Sequence, residues 1–355
     1  MRNLEKMLSL CGKTADALLL TSVYSRRYAA ESGIDEGVAI VSKNGCRYFT
    51  DSRYIEAAQK QLKGFEVLEI DREHSYFQRI NDAAQEFGIH TLGIEERYLT
   101  LTEFREYEKR LNVELVDAQS EISRFRWSKE DWELENMIRA QEITDLTFSQ
   151  LLEIIHPGMS EKELRAELIY RLLKNGADGL SFQPIVVAGP NTSMPHGVPS
   201  DYVLQRGDFV TMDFGCIYDG YCSDMTRTVA LCEATSEMRE VYEIVAQAQA
   251  NGIAASRAGV EGSAVDGAAR KTIADAGYGE YFGHGYGHSL GLEIHEAPNC
   301  GPSSREPMPL HSVCSAEPGI YLPGRFGVRI EDVVIFEQDG VTDITKSPKE
   351  LQIVG

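Results

Sequence analysis

The stretch DFGCIYDGYCSDMTRT, Asp213 to Thr228, constrains the fold more than any other part of the chain. Bulky and polar residues alternate on both sides of Asp219-Gly220, a strong two-residue turn signal, so the segment predicts an antiparallel hairpin. With the turn there, Tyr218 faces Tyr221, Asp213 lies opposite Thr226 and Asp224 lies opposite Gly215. Positions 213 and 215 share a face, so both carboxylates emerge on one side of the sheet, one diagonal step apart. Two acids that close repel each other and are costly to bury alone. A cation between them is one reading and a solvated acidic face is the other; this hairpin by itself does not separate the two.

A second acid pair repeats the arrangement. In SAEPGIYLPGRFGVRIED, Glu317 and Glu331 are equally far from Gly324, so a turn at Pro323-Gly324 sets them opposite each other, with Arg329 on the face of Glu331. Five of the eight histidines lie beyond residue 190, and three of these, His284, His288 and His295, share the Gly-rich stretch FGHGYGHSLGLEIHEAP. Imidazoles gathered in a loop whose glycines allow close backbone approach suit metal or substrate binding. His74, His90, His156 and His311 have no such company and read as surface or helix-end residues. Two hairpins with two carboxylates each, plus a histidine, make a set of mostly hard oxygen donors whose charge two divalent cations would balance. Mn, Co or Fe fit such donors better than a closed structural zinc site.

The order of DFGCIYDGYCSDMTRT, GHGYGHSLGLEIHEAP and AEPGIYLPGRFGVRIED resembles the M24 metallopeptidase family with the pita-bread fold, and within it the Xaa-Pro aminopeptidases and dipeptidases. The front of the chain is similar to the creatinase-type domain of the same proteins, through TDSRYIEAA and LGIEERY. The resemblance implies metal ligands at Asp213, Asp224, His288, Glu317 and Glu331, with Asp224 and Glu331 shared by two ions, most commonly Mn, with Co, Fe or Zn as substitutes. It implies Glu317 as general base, His295 and His196 beside the scissile carbonyl and the proline, and His284 and Arg329 as substrate-binding residues. It also implies a homodimer. This sequence departs from the family pattern at His311-Ser312, where Gly-Met is usual, at Ser315, where Thr is common, and at SRRYAAESG in the front domain.

Around this site the chain divides in two. Residues 1–124 alternate short strand patterns (ALLLTS, GVAIVSK, CRYFTDS, FEVLEID, TLGIEE) with the amphipathic helices YIEAAQKQLK and YFQRINDAAQEFG, as expected of a small α/β domain. Residues 125–355 are expected to form an α+β pita-bread catalytic domain. It opens with a long helix stopped at His156-Pro157-Gly158 and a second helix introduced by the capping box Ser160 to Glu163; one further helix, MREVYEIVAQAQANGIAASR, interrupts the strands. With 35 basic against 55 acidic side chains the net charge is −20, which disfavours nucleic acid and anionic membranes as partners. Seven scattered cysteines with no C-x-x-C pair favour free thiols, and the N-terminus has no long apolar run; both point to the cytoplasm. The expected activity is hydrolysis of the bond before proline at the N-terminus of peptides or in dipeptides. The alternatives are a methionine aminopeptidase-like enzyme and a non-catalytic binding module of the same fold.

Overall fold

The computed structural model describes residues 2–355, which divide after Arg126 into two compact units. In the first, β1 (Ala17–Leu20), β2 (Val38–Ser42), β3 (Gly45–Thr50), β4 (Glu66–Glu69), β5 (Thr91–Ile94) and β6 (Glu114–Asp117) form one sheet in the order β4-β3-β2-β1-β5-β6. The central strands are apolar and fully buried, as a sheet covered on both faces requires. The covering helices are α1 (Arg2–Leu8), α2 (Val23–Ala30), α3 (Ile55–Gln61), α4 (Tyr76–Phe87), α5 (Leu101–Arg110) and α6 (Gln119–Arg124). Sequence gives α4 both its ends: Ser75 accepts from the Gln78 amide, and Gly88 closes the helix at φ 66°. Strand β6 and helix α5 go beyond the sequence expectation, because ELVD is half exposed and α5 buries no residue fully.

The second unit opens with α7 (Asp131–Leu152) and α8 (Glu161–Lys174), whose Ser160–Glu163 capping box forms. They cover β8 (Ile185–Ala188), β9 (Phe209–Phe214) and β12 (Met225–Leu231) through one core. Between them run β7 (Gly179–Leu180), β10 (Cys216–Tyr218) and β11 (Tyr221–Cys222). Then α9 (Ser236–Ala255) and α10 (Gly262–Asp275) pack over a second core. That core is shared with β14 (Glu296–Cys300), β15 (Val313–Ala316), β16 (Gly319–Leu322), β17 (Phe326–Arg329) and β18 (Asp332–Phe336); β13 (Gly287–Ser289), β19 (Val341–Asp343) and β20 (Ile353–Val354) complete the sheets. One helix was expected here and two are present. Helix α10 carries Gly262 and Gly267 and has no side-chain N-cap, so its local signal is weak; Val265, Ala269 and Ile273 buried in the core hold it instead. All seven cysteines are free thiols, and among the described residues no helix is long and apolar enough to cross a membrane.

Candidate metal centre and active site

Both hairpins adopt the registers that their turns imply. Asp219 and Gly220 have positive φ of 45° and 85°, the two-residue turn pairs Tyr218 with Tyr221, and further out Asp213 pairs with Thr226. In the second, β16 and β17 pair Gly319 with Arg329 and Leu322 with Phe326. Alternation then sorts the side chains. Met212 and Phe214 enter one core while Asp213 points the other way, and Val328 and Ile330 enter the other core while Arg329 and Glu331 do not. The acids therefore emerge between the two cores of the second unit.

The ligand atoms of Asp224, His288 and Glu331 lie within 4.8 Å of one another. The His288 Nε2 stands 3.5 Å from both Asp224 Oδ2 and Glu317 Oε1. Asp213 completes the group at the Arg329 guanidinium, 2.5 Å away. Ser315, where threonine is usual, still bridges: its hydroxyl accepts from the His288 amide at 3.0 Å and donates to Glu317 at 3.1 Å. Gly287 permits that approach, because a Cβ there would stand 1.9 Å from the Ser315 carbonyl.

Burial, then the charges of Asp213 and Glu317, pushes the Asp224 carboxyl well above the usual carboxylate range. Burial, then Asp224, Glu317 and Asp213, does the same to Glu331, and burial is also the chief cause of the raised Glu317. Burial lowers His288, favouring the neutral ring that binds metals. Asp224 Oδ1 is buried with no hydrogen-bond partner. Several carboxylates that resist ionisation together, one orphaned oxygen and a neutral imidazole are what a site for divalent cations looks like without its charge, so the donor set fits such ions.

A cavity of about 410 Å³ opens beside the cluster, lined by Asp213, His288, Glu317 and Arg329 together with His196, His284 and His295. The His295 ring lies 4.3 Å from that of His288. His284 Nδ1 donates to the Gly285 carbonyl, and its Nε2 meets the Tyr321 hydroxyl at 2.9 Å; burial lowers this imidazole too. The structure thus brings every candidate residue to one cavity wall or to the cluster beside it. His74, His90, His156 and His311 lie elsewhere on half-buried or exposed positions.

Two residues join the site without having been singled out. Tyr321 accepts from Arg329 Nη1 at 2.8 Å and links it to His284. Thr226 donates to Glu331 at 2.6 Å and accepts from Arg329 Nε at 3.0 Å. Thr226 could be read from the sequence, since it lies opposite Asp213, whereas Tyr321 sits on β16, four residues after Glu317.

The family model for metallopeptidase family M24 matches residues 135–338, and that for the Creatinase/Prolidase N-terminal domain matches residues 7–127. The chain is 39% identical over 353 residues, 99% of both chains, to an uncharacterized peptidase, YqhT, of Bacillus subtilis. Among solved structures, an Xaa-Pro dipeptidase from Bacillus anthracis superposes with a TM-score of 0.96 at 40% identity, covering 100% of this chain and 99% of its own. An X-Pro aminopeptidase from Thermotoga maritima does so with a TM-score of 0.92 at 34% identity and 99% coverage of each. A carboxylate-rich cluster in a chain matched this fully leaves one conclusion: the protein belongs to metallopeptidase family M24 and carries the Creatinase/Prolidase N-terminal domain in front of its catalytic unit.

Proposed function

We propose that this enzyme hydrolyses the bond between an N-terminal residue and a following proline, using two divalent cations held by Asp213, Asp224, His288, Glu317 and Glu331. The observation that supports it most is the convergence of that donor set with His196, His284 and His295 on one cavity, in a chain similar along its whole length to proteins named for Xaa-Pro cleavage. Bound cations would supply Lewis-acid polarisation and a water of pKa near ~7. Glu317, its carboxyl raised by burial, takes the proton of the attacking water and passes it to the proline nitrogen, which has no hydrogen of its own. His295 donates to the oxyanion. His196 and His284 flank the proline ring, and Arg329 keeps Asp213 and Tyr321 in place. Manganese suits the oxygen-rich donors. A homodimer in the cytoplasm completes the reading, and seven free thiols suit that compartment.

Steady-state kinetics on matched peptides test this. With Mn supplied, kcat/KM for Ala-Ala and Ala-Ala-Ala should lie at least about two orders of magnitude below Ala-Pro and Ala-Pro-Ala, roughly 3 kcal/mol of transition-state binding. His196→Ala should narrow the gap by harming the proline substrates. Equal rates on alanine and proline peptides would sink the assignment. A preference for N-terminal methionine whatever follows would favour a methionine aminopeptidase-like activity.

A further inference from the structure

The cavity has two distinguishable ends. On β14, Glu296, Pro298 and Cys300 are buried while Ala297 and Asn299 are exposed, and His295, just before the strand, is exposed as well. His295 and Asn299 therefore share a face, and both line the cavity. At about 3.3 Å per residue they stand roughly 13 Å apart along the chain. Strand β14 runs antiparallel to β13 with Cys300 opposite Gly287, which brings its far end beside the segment carrying His284. A Cβ on Gly285 would lie 3.3 Å from both the Cys300 carbonyl and the Gly301 Cα. The metal cluster and His295 mark one end of the cavity, and Asn299 with the Gly301–Ser304 turn marks the other; His284 stands between them, tied through the Tyr321 hydroxyl to Arg329 and so to Asp213.

The far end is lined by uncharged residues. The turn is closed by Ser304 N donating to the Gly301 carbonyl at 3.0 Å and Gly301 N donating to Ser304 Oγ at 3.2 Å. That leaves the Ser304 hydroxyl hydrogen and the exposed Ser303 to the cavity. The Asn299 side-chain amide, a donor and an acceptor together, matches a peptide group. A dipeptide would bring its C-terminal carboxylate here, and an acceptor-only group leaves the Asn299 oxygen unmatched. Among the described residues lining the cavity, the one permanent cation is Arg329, which is buried and already held by Asp213, Tyr321 and Thr226.

We propose that this end binds the peptide backbone beyond the proline, with Asn299 as a specificity-determining residue, so that the preferred substrates are peptides of three or more residues and the enzyme works as an aminopeptidase. The inference rests on the Xaa-Pro reading above.

The test uses the full-length, Mn-supplied enzyme on Ala-Pro, Ala-Pro-amide, Ala-Pro-Ala and Ala-Pro-Ala-Ala. In the wild type, kcat/KM should rise roughly tenfold from Ala-Pro to the capped and longer substrates, about what one or two hydrogen bonds supply. Asn299→Ala should erase at least about threefold of that rise, mainly through KM, and Asn299→Ser should restore part of it. General damage to the fold would lower all four substrates in proportion and leave the ratios unchanged. Two results would overturn the proposal: an Ala-Pro rate equal to or above that of the tripeptide in the wild type, which needs no variant to fold, or an Asn299→Ala effect independent of length in a variant whose unfolding midpoint matches the wild type. Ala-Ala-Ala separates the two layers. If it matches Ala-Pro-Ala while the length dependence persists, the proline assignment fails and the extended binding end stands.

Discussion

Glu331 and Asp332 are neighbours in the chain, both almost wholly buried, and they meet opposite electrostatic surroundings. Glu331 faces the other site carboxylates and is pushed well above the usual range. Burial also pushes on Asp332, but Arg227 and Lys349 outweigh it and hold that carboxyl below its ordinary value. Asp332 receives Arg227 Nη2 at 2.7 Å, Gln249 Nε2 at 2.9 Å and the Lys349 ammonium. The period of two separates the pair, since adjacent strand residues point to opposite faces. The difference teaches what each cluster is for. One is balanced within the chain and serves the fold, whereas the other keeps an excess of carboxylates whose donor atoms suit a divalent cation.

The largest stability loss should come from breaking the balanced cluster. Arg227 is fully buried and also donates to the carbonyls of Thr226, Glu331, Ser347 and Pro348. Arg227→Met removes the one fully buried cation that Asp332 meets among the described residues and should cost about 3–5 kcal/mol, read from the urea unfolding midpoint of the metal-free protein.

The unbalanced cluster should respond with the other sign. Glu331→Gln and Asp224→Asn each remove one repelling charge while keeping the shape, so the metal-free protein should hold its stability or gain about 1 kcal/mol. Metal content should fall below two ions per chain and peptidase activity to near background. A variant that kept two ions and most of its kcat would overturn the ligand assignment. One that lost as much stability as Arg227→Met would erase the distinction between the clusters.

Much of the unbalanced cluster could be read from the chain because short-range geometry generates it. The turns at Asp219-Gly220 and Gly324 fix the registers, and counting residues outward orients Asp213, Asp224, Glu317 and Glu331. The balanced cluster could not be read. Arg227 and Asp332 lie 105 residues apart, with nothing local to mark them as partners. Helix α10 escaped because tertiary packing outweighs its glycines, and it matters to the cavity: a Cβ at Gly262 would stand 2.0 Å from the Asn299 carbonyl, so the helix start abuts the far end. His311 adopts φ 59°, a left-handed conformation natural to the glycine that the family pattern prefers there, so a sequence departure becomes a local backbone cost.

The smallest expected effect lies within the balanced cluster and tests whether burial sets the scale there. Lys349 meets the same carboxylate as Arg227 and also meets Asp343 at 2.7 Å, but its side chain is 38% exposed. Water already solvates much of that ammonium, which weakens its attraction and reduces what its removal takes away. After Lys349→Met, both Asp332 oxygens keep a donor, Arg227 and Gln249, and the half-buried Asp343 Oδ2 loses one, so the loss should be about 0.5–1 kcal/mol by the same urea measurement. Raising salt should shrink this contribution more than that of Arg227, because screening reaches an exposed charge and hardly reaches a buried one. A Lys349→Met loss as large as that of Arg227→Met would mean that the number of charges around Asp332, and not their burial, holds this carboxylate in the core.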